Sequence, residues 1–399
     1  MFGQMRIAIL DYKVLPSNPA GGCHWRLLRA LCKEHEFTVF SLEFDNPDPR
    51  RIDWVRIPAV PRPLAALFVT FHLLAPICFF LYCRRNRIRF DLVQMVESNV
   101  GFGDIAYAHF CHRYYLRNYW RIAKPSGLRG LFRRLDHQLH AIGERFVFRR
   151  VRRLIVPSLG LANEIEREFP YTAGRMEVIP NPIELDRMNR PAAFDREAFR
   201  SALGISGEDV VLVFAALGHF ERKGLPALLE AMASPGCEPV KLIVAGGTPG
   251  TIVAYRGKTN HLGLGRRVFF VGTQDDVRPY FWSADAFVLP SAYETFSLVT
   301  YEAAAAGLPL IVARTNGIEE ILRDGKNGIL IGTTPASICS GLERFLCLQS
   351  GDRRRMGESS KESVRGYCSE NFTARWRALY ASEDLTGPQR LDLAPVQSG

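Results

Sequence analysis

Apolar and polar positions alternate between two rhythms along this 399-residue chain. Short runs of consecutive apolar residues are followed by stretches with an apolar residue every three or four positions, the signatures of buried strands and of helices packed on them. In the first half the short runs fall at 5–10, 37–43, 53–57, 91–96, 105–110 and 153–156. In the second half they fall at 210–215, 241–245, 268–271, 286–289, 310–313 and 328–331. Helical spacing follows the first run through Trp25, Leu27, Leu28 and Leu31, and recurs at 226–232, 275–282, 297–306 and 336–349. Strands alternating with helices from end to end predict α/β architecture with parallel sheets.

The chain is too long for one typical core, so two domains are expected. The pattern restarts after a polar run. Residues 1–183 are therefore read as a first Rossmann-like domain, 184–208 as a linker with a short helix, and 209–358 as a second such domain. A helix pattern carrying Trp376, Leu379 and Tyr380 occupies 359–385. The remainder, 386–399, with Pro388 and Pro395, is expected to be a disordered tail. No repeat of solenoid spacing is present.

Composition narrows the classes. The nine cysteines are odd in number, scattered, and never spaced as Cys-x-x-Cys, which indicates neither a disulfide framework nor a zinc site. The first residues run straight into a strand pattern without the apolar core and cleavage site of a signal peptide, so a reducing cytosol is the expected compartment. The net charge of +10 is concentrated: segment 113–153 holds twelve Arg or Lys against Asp136 and Glu144, and accounts for all of it. A localised basic face implies an anionic partner surface. Within it Leu131, Leu135, Leu139, Ile142 and Phe146 recur at helical spacing between Arg129, Arg133, Arg134, Arg145 and Arg149, with Tyr114, Tyr115, Tyr119 and Trp120 preceding. That is the pattern of a basic amphipathic helix with interface-seeking aromatics, and it predicts attachment to an anionic membrane. The competing reading is a solvated helix on its own domain. No nucleic-acid-binding module is recognisable, and no nucleic-acid partner is expected.

Residues 64–83 are uncharged and long enough to span a membrane. Topology argues otherwise. Strands before and after the segment must pair in one sheet, so a hydrophobic helix packed on the first domain, dipping at most into the interface, is expected.

The densest chemistry lies at 293–309. After the apolar run 286–289, Glu294 sits in a strand-to-helix loop and Glu302 about two turns into a helix that stops at Gly307 before Pro309. The N–H groups of Phe296, Ser297 and Leu298 at the helix start are suited to an anionic diphosphate. Two carboxylates spaced in this way, the small-residue helix and the run 309–322 resemble the donor site of glycosyltransferase family 4. The resemblance implies the GT-B fold, two Rossmann-like doubly wound parallel-sheet domains facing across a cleft, and a retaining transferase that moves a sugar from a nucleotide diphosphate to an acceptor hydroxyl. It gives Glu294 to the donor-sugar hydroxyls and Glu302 to the ribose.

Further positions follow. The segment 217–225 opens a helix after the second half's first strand, and fixed cations there suit a leaving diphosphate. Gly218, Lys223 and Gly224 match the family, whereas His219 stands where an Arg is expected and Arg222 is the candidate substitute. Gly21 and Gly22 would let the backbone approach the donor or acceptor without a Cβ in the way. His109, at the end of a strand, fits the family histidine near the reactive centre; because the leaving phosphate oxygen is usually described as taking the acceptor proton, His109 is expected to position the sugar or acceptor. His112 ranks second. Thr273 falls where the family's backbone meets the nucleobase. The catalytic set is thus His109, Glu294 and Lys223. Asp275 with Asp276, and Asp45 with Asp48, make no convincing metal pattern, so neither metal nor cofactor is expected. The donor is UDP- or GDP-linked, the acceptor a lipid-linked or cell-surface glycan, and the location the inner face of the membrane. The alternatives are a GT-B enzyme of other chemistry, such as a nucleotide-sugar epimerase, or a non-catalytic membrane-binding relative.

Overall fold

The computed structural model describes residues 4–123, 127–382 and 385; the expected tail and Lys124 lie outside these, as does the side chain of Arg129. Two parallel sheets organise the chain. The first has seven strands in the order Ile52–Arg56, Glu36–Ser41, Arg6–Leu10, Leu92–Val96, Ile105–Tyr107, Arg153–Val156 and Met176–Val178. The second has six, in the order Val268–Gly272, Val240–Ala245, Val210–Ala215, Ala286–Leu289, Leu310–Ala313 and Gly328–Ile331. Every pairing within both sheets is parallel.

Their strands read as unbroken apolar runs because helices cover both faces; all five residues of Leu92–Val96 are buried. In each sheet the order of connection reverses beside the first strand, between Arg6–Leu10 and Leu92–Val96 and between Val210–Ala215 and Ala286–Leu289. Such reversal points leave a crevice beyond the carboxyl ends of the strands, where ligands of open α/β sheets bind.

Three local differences from the sequence pattern have physical causes. The strand at 105 ends at Tyr107 rather than 110, because the chain turns off into the helix His112–Asn118. Met176–Val178 escaped notice: at the sheet edge its three residues are only half-buried, so no apolar run marks it. The helical pattern after 359 divides into Ser350–Ser363 and Ser369–Tyr380. The latter buries Phe372, Trp376, Leu379 and Tyr380 against the first domain, in one cluster with Ile7, Ile9 and Leu28. Residues 184–208 form the helices Leu185–Met188 and Arg196–Ala202, and Arg196 and Arg200 both hold Asp285 of the second domain, at 2.6 and 2.9 Å.

The apolar segment is a helix, Leu64–Asn86, joining two strands of one sheet. By length and composition it could cross a membrane, and a third of its most apolar window is buried. Leu67, Phe71, Ala75 and Phe79 enter the core while Leu73, Ile77, Phe80 and Leu81 stay exposed. The neighbouring helix Gly127–Arg150 is turned in an unusual sense. It buries Asp136, His140 and Glu144 along with Val147 and Phe148, and exposes Leu131, Phe132, Leu135, Ile142 and Phe146.

Candidate active site

Two loops at the reversal point of the second sheet hold the expected donor residues. The first follows Val210–Ala215 and carries His219 in the left-handed region at φ 57° and Gly224 at φ 80°. A Cβ on Gly224 would lie 2.1 Å from the Pro290 carbonyl oxygen, so this glycine lets the first loop press against the second. There Lys223 Nζ and Ser291 Oγ both donate to Glu294 Oε1 at 2.5 Å, and Arg222 Nη1 donates to the Tyr293 carbonyl at 3.2 Å. Burial pushes the Glu294 carboxyl up, but Lys223 and Arg222 outweigh it and hold the group below its ordinary value. The pair is thus a preformed charged unit.

The second loop leads into the helix Leu298–Ala305. Of the three N–H groups expected to be free, that of Leu298 donates to the Phe296 carbonyl at 3.1 Å, because the chain closes a tight turn before the helix begins. Those of Phe296 and Ser297 make no hydrogen bond among the described residues. Glu302 is half-buried; burial pushes its carboxyl up to about 7 against the pull of Arg26. Arg26 belongs to the first-domain helix Gly21–Leu31 and bonds Glu184 at 3.1 Å, so the two domains meet at Glu302.

Other expected positions are more dispersed. Gly21 is required by close packing, since its Cβ would sit 1.8 Å from the Lys13 carbonyl oxygen, whereas Gly22 is 3.0 Å from the Pro16 carbonyl by the same measure. Gly218 faces open space. Thr273 is exposed and its hydroxyl donates to the Gly247 carbonyl at 3.3 Å. His109 packs against Tyr107, ring centroids 4.1 Å apart, and its Nε2 is buried without a partner. Burial, aided by nearby His24, holds its imidazole down to about 3, which keeps it neutral.

The domains touch directly around this site. Ser158 Oγ donates to the Thr295 carbonyl at 2.7 Å, Tyr293 Oη to Glu164 Oε2 at 2.9 Å, and the Leu159 N–H to Glu320 Oε1 at 2.8 Å. A cavity of about 320 Å³ beside Glu294 is lined from both sides by residues including Tyr119, Asn163, Arg167, Arg314 and Asn316.

A second constellation, at the reversal point of the first sheet, was not foreseen. Glu97, in the left-handed region at φ 50°, ends the central strand and faces His112 Nε2 at 3.3 Å and His140 Nδ1 at 3.7 Å. His112 Nδ1 lies 2.9 Å from His137 Nδ1. Around them Tyr12 Oη, His72 Nδ1, Asn99 Oδ1 and His140 Nδ1 are buried without partners. The three atoms offered by Glu97, His112 and His140 lie within 4.8 Å of one another. The two imidazoles, however, are stacked 4.3 Å apart with planes 10° from parallel, so their in-plane lone pairs do not converge on one ion. Of its members only His112, ranked second to His109 near the reactive centre, was singled out in the sequence; His137 and His140, three apart on one helix, are hidden among apolar and basic residues.

Comparison with known proteins decides the family. The model described as Glycosyltransferase Family 4 matches residues 24–187, and the one described as Glycosyl transferases group 1 matches 208–347. The chain belongs to glycosyltransferase family 4. It is 31% identical over 252 residues to D-inositol 3-phosphate glycosyltransferase of Mycobacterium tuberculosis, which covers 61% of this chain and 51% of that protein. The chain thus spans about half the length of the curated relatives it matches. Among solved structures it superposes on WaaG, a glycosyltransferase involved in lipopolysaccharide biosynthesis, with a TM-score of 0.75 at 18% identity, over 94% of this chain and 100% of that one. Sucrose-phosphate synthase from Thermosynechococcus elongatus gives 0.77 at 21%, over 94% and 98%. HepE of Anabaena, solved with UDP-glucose, gives 0.70 at 15%, over 95% and 100%. These likenesses establish the GT-B fold.

Proposed function

We propose that this family 4 protein is a retaining glycosyltransferase that moves a sugar from a UDP- or GDP-linked donor to a hydroxyl of a lipid-linked or cell-surface glycan at an anionic membrane surface. The observation that carries this reading is the Lys223–Glu294 pair beside the free N–H groups of Phe296 and Ser297, with Glu302 farther along the same helix. Fixed cations and a helix N-terminus stabilise the charge that develops on a departing diphosphate. Ordered carboxylates accept hydrogen bonds from sugar and ribose hydroxyls. With the diphosphate held by Lys223, Arg222 and backbone N–H groups, the transfer needs neither a metal nor a cofactor.

The membrane part rests on a separate surface. The adjacent helices Leu64–Asn86 and Gly127–Arg150 expose Leu73, Ile77, Phe80, Leu131, Ile142 and Phe146, and exposed Arg134, Arg145, Arg149 and Arg150 stand among them. Apolar side chains that seek the acyl boundary together with Arg side chains that seek anionic headgroups are the composition of an interfacial helix. This supports a peripheral position on the inner face of the membrane.

A thermal-shift series with UDP, GDP, UDP-glucose and GDP-mannose tests the donor site, because a ligand of the folded state raises its melting temperature. Stabilisation by one nucleotide class and not by adenine nucleotides is the expected result. Product analysis by NMR should show the donor's anomeric configuration retained, with EDTA leaving the rate unchanged; an inverted product would defeat the mechanism.

A further inference from the structure

We infer that the cavity between the two domains beside Glu294 is an acceptor subsite, in which Arg167 of the first domain and Arg314 of the second hold an anionic substituent of the acceptor sugar. This rests on the transferase reading above and deepens it by naming the class of acceptor.

Position gives the cavity to the acceptor. Its volume of about 320 Å³ lies at the small end of small-molecule sites, which run from about 300 to 1,000 Å³. Of the residues expected to hold the donor, Glu294 alone lines it, the one given to the sugar hydroxyls. Arg222, Lys223, Phe296, Ser297 and Glu302, given to the diphosphate and the ribose, are not part of its wall. A group seated here therefore adjoins the donor sugar and not the nucleotide. The cavity also lies on the side of the first domain that carries the basic and apolar helices. Its wall includes Tyr114 of His112–Asn118, a helix that packs against both Gly127–Arg150 and the wall helix Leu159–Glu168.

The wall suits a sugar. Tyr114 and Tyr119 are half-buried and Tyr293 is buried, and the planar amides of Asn163 and Asn316 stand with these rings around the space. Aromatic faces with a few placed polar groups are what a polyhydroxylated ring requires. Asn316 Nδ2 is buried without a hydrogen-bond partner. A Cβ on Gly160 would lie 2.4 Å from both Asn316 Oδ1 and Glu319 Oε1, so glycine at this position leaves those side chains in place.

Charge selects the substituent. Arg314 makes no hydrogen bond or ion pair among the described residues, and Arg167 Nη1 donates only to the Tyr114 hydroxyl, at 3.5 Å. The carboxyls that share the wall are paired or weakened. Glu294 is held by Lys223 and Ser291, and Glu164 accepts from Tyr293 Oη at 2.9 Å. Burial pushes Glu164 up to about 7 and raises Glu319 above its ordinary value. Two guanidinium groups from opposite domains are thus left without a carboxylate of their own, and their planar forks match the paired oxygens of a phosphate or a carboxylate.

The test is a calorimetric titration with glucose 6-phosphate, glucuronic acid and glucose at equal ionic strength. UDP or GDP, whichever stabilises the wild type, is held at saturation so that the Lys223 loop is already filled. At least one anionic sugar should bind about tenfold more tightly than glucose, the margin of one charge-assisted hydrogen-bonded contact. A preference for the phosphate or for the carboxylate then identifies the group the acceptor carries. Arg167→Gln and Arg314→Gln change exposed side chains, and the double variant should lose the margin while its thermal shift with the nucleoside diphosphate matches wild type. No preference over glucose in the wild type, or a preference that survives in the double variant, would overturn the subsite. If the wild type binds no nucleotide, the transferase reading falls instead, and the same titration without nucleotide still decides whether the two arginines hold an anionic sugar.

Discussion

The two reversal points differ in how their polar groups are arranged. In the second domain the chemistry comes from the loop 216–224 and from the loop 290–297 with the helix it leads into, and its charges are already satisfied: Lys223 and Ser291 meet Glu294 at 2.5 Å. In the first domain it comes from five separate elements, and Tyr12, His72, Asn99, His109 and His140 each leave a buried polar atom without a partner. A preformed charged pair suits a constant ligand such as a diphosphate. A crevice of unpaired hydroxyl, amide and imidazole groups suits a ligand rich in hydroxyls that completes the missing bonds.

The largest effect expected from this contrast is at the paired site. Lys223→Ala or Glu294→Ala should cut turnover about a hundredfold, the equivalent of about 3 kcal/mol of transition-state stabilisation. Because the partners are buried together, each single change also strands a charge and should cost on the order of 3 kcal/mol of stability. The double variant Lys223→Met with Glu294→Gln should recover much of the melting temperature and none of the turnover. Recovered turnover would show that the pair is only structural.

The same contrast explains what the sequence discloses. Lys223 and Glu294 lie in loops at strand ends and Glu302 in the helix that follows the second loop directly, where spacing along the chain nearly equals spacing in the site. Most strands were legible because parallel strands buried on both faces are continuous apolar runs. Glu97, His112, His137 and His140 come from three separate elements and share no such local signal. The helix that carries His137 and His140, Gly127–Arg150, points its Asp136, His140 and Glu144 inward and its Leu131, Ile142 and Phe146 outward, reversing the rule by which a pattern assigns the buried face. The free N–H group expected at Leu298 was lost to a turn one residue long, a detail below the resolution of periodicity.

That reversed helix supplies the second test. Arg134, Arg145, Arg149 and Arg150 are exposed, while Arg133 is half-buried near Asp136 and is left unchanged. Reversing the four exposed charges to Glu should sharply reduce co-sedimentation with anionic vesicles, since each basic residue near such a surface contributes roughly 1 kcal/mol. Added salt should weaken wild-type binding in the same direction, because exposed charges are screened over about 8 Å at physiological ionic strength. Equal sedimentation of variant and wild type would make this face an ordinary solvated one.

A smaller effect separates the two carboxylates of the donor site. Glu294 is held below its ordinary value, whereas Glu302 rises from 4.5 to about 7. A carboxyl that binds its proton more tightly when folded stabilises the protein at low pH, and this contribution is lost as pH rises through the folded value. Wild-type stability should therefore decline between about pH 4.5 and 7 by an amount that Glu302→Gln abolishes, on the order of 2 kcal/mol. An identical pH slope in the variant would remove Glu302 as its source.

The smallest effect joins the two regions. Tyr293 is fully buried among Phe110, Tyr115 and Tyr119 of the first domain, and its hydroxyl reaches across to Glu164 at 2.9 Å. Tyr293→Phe keeps the ring contacts and removes one hydrogen bond, so the melting curve should register a loss of about 1 kcal/mol. If that bond helps hold the domains together when substrate is bound, the variant should also raise KM for the nucleotide sugar while leaving kcat within about twofold, since uniform binding is lost and no transition-state contact is touched. A fall in kcat with KM unchanged would place Tyr293 in the chemistry of the donor loop instead, and the boundary drawn here between the two regions would have to move to include it.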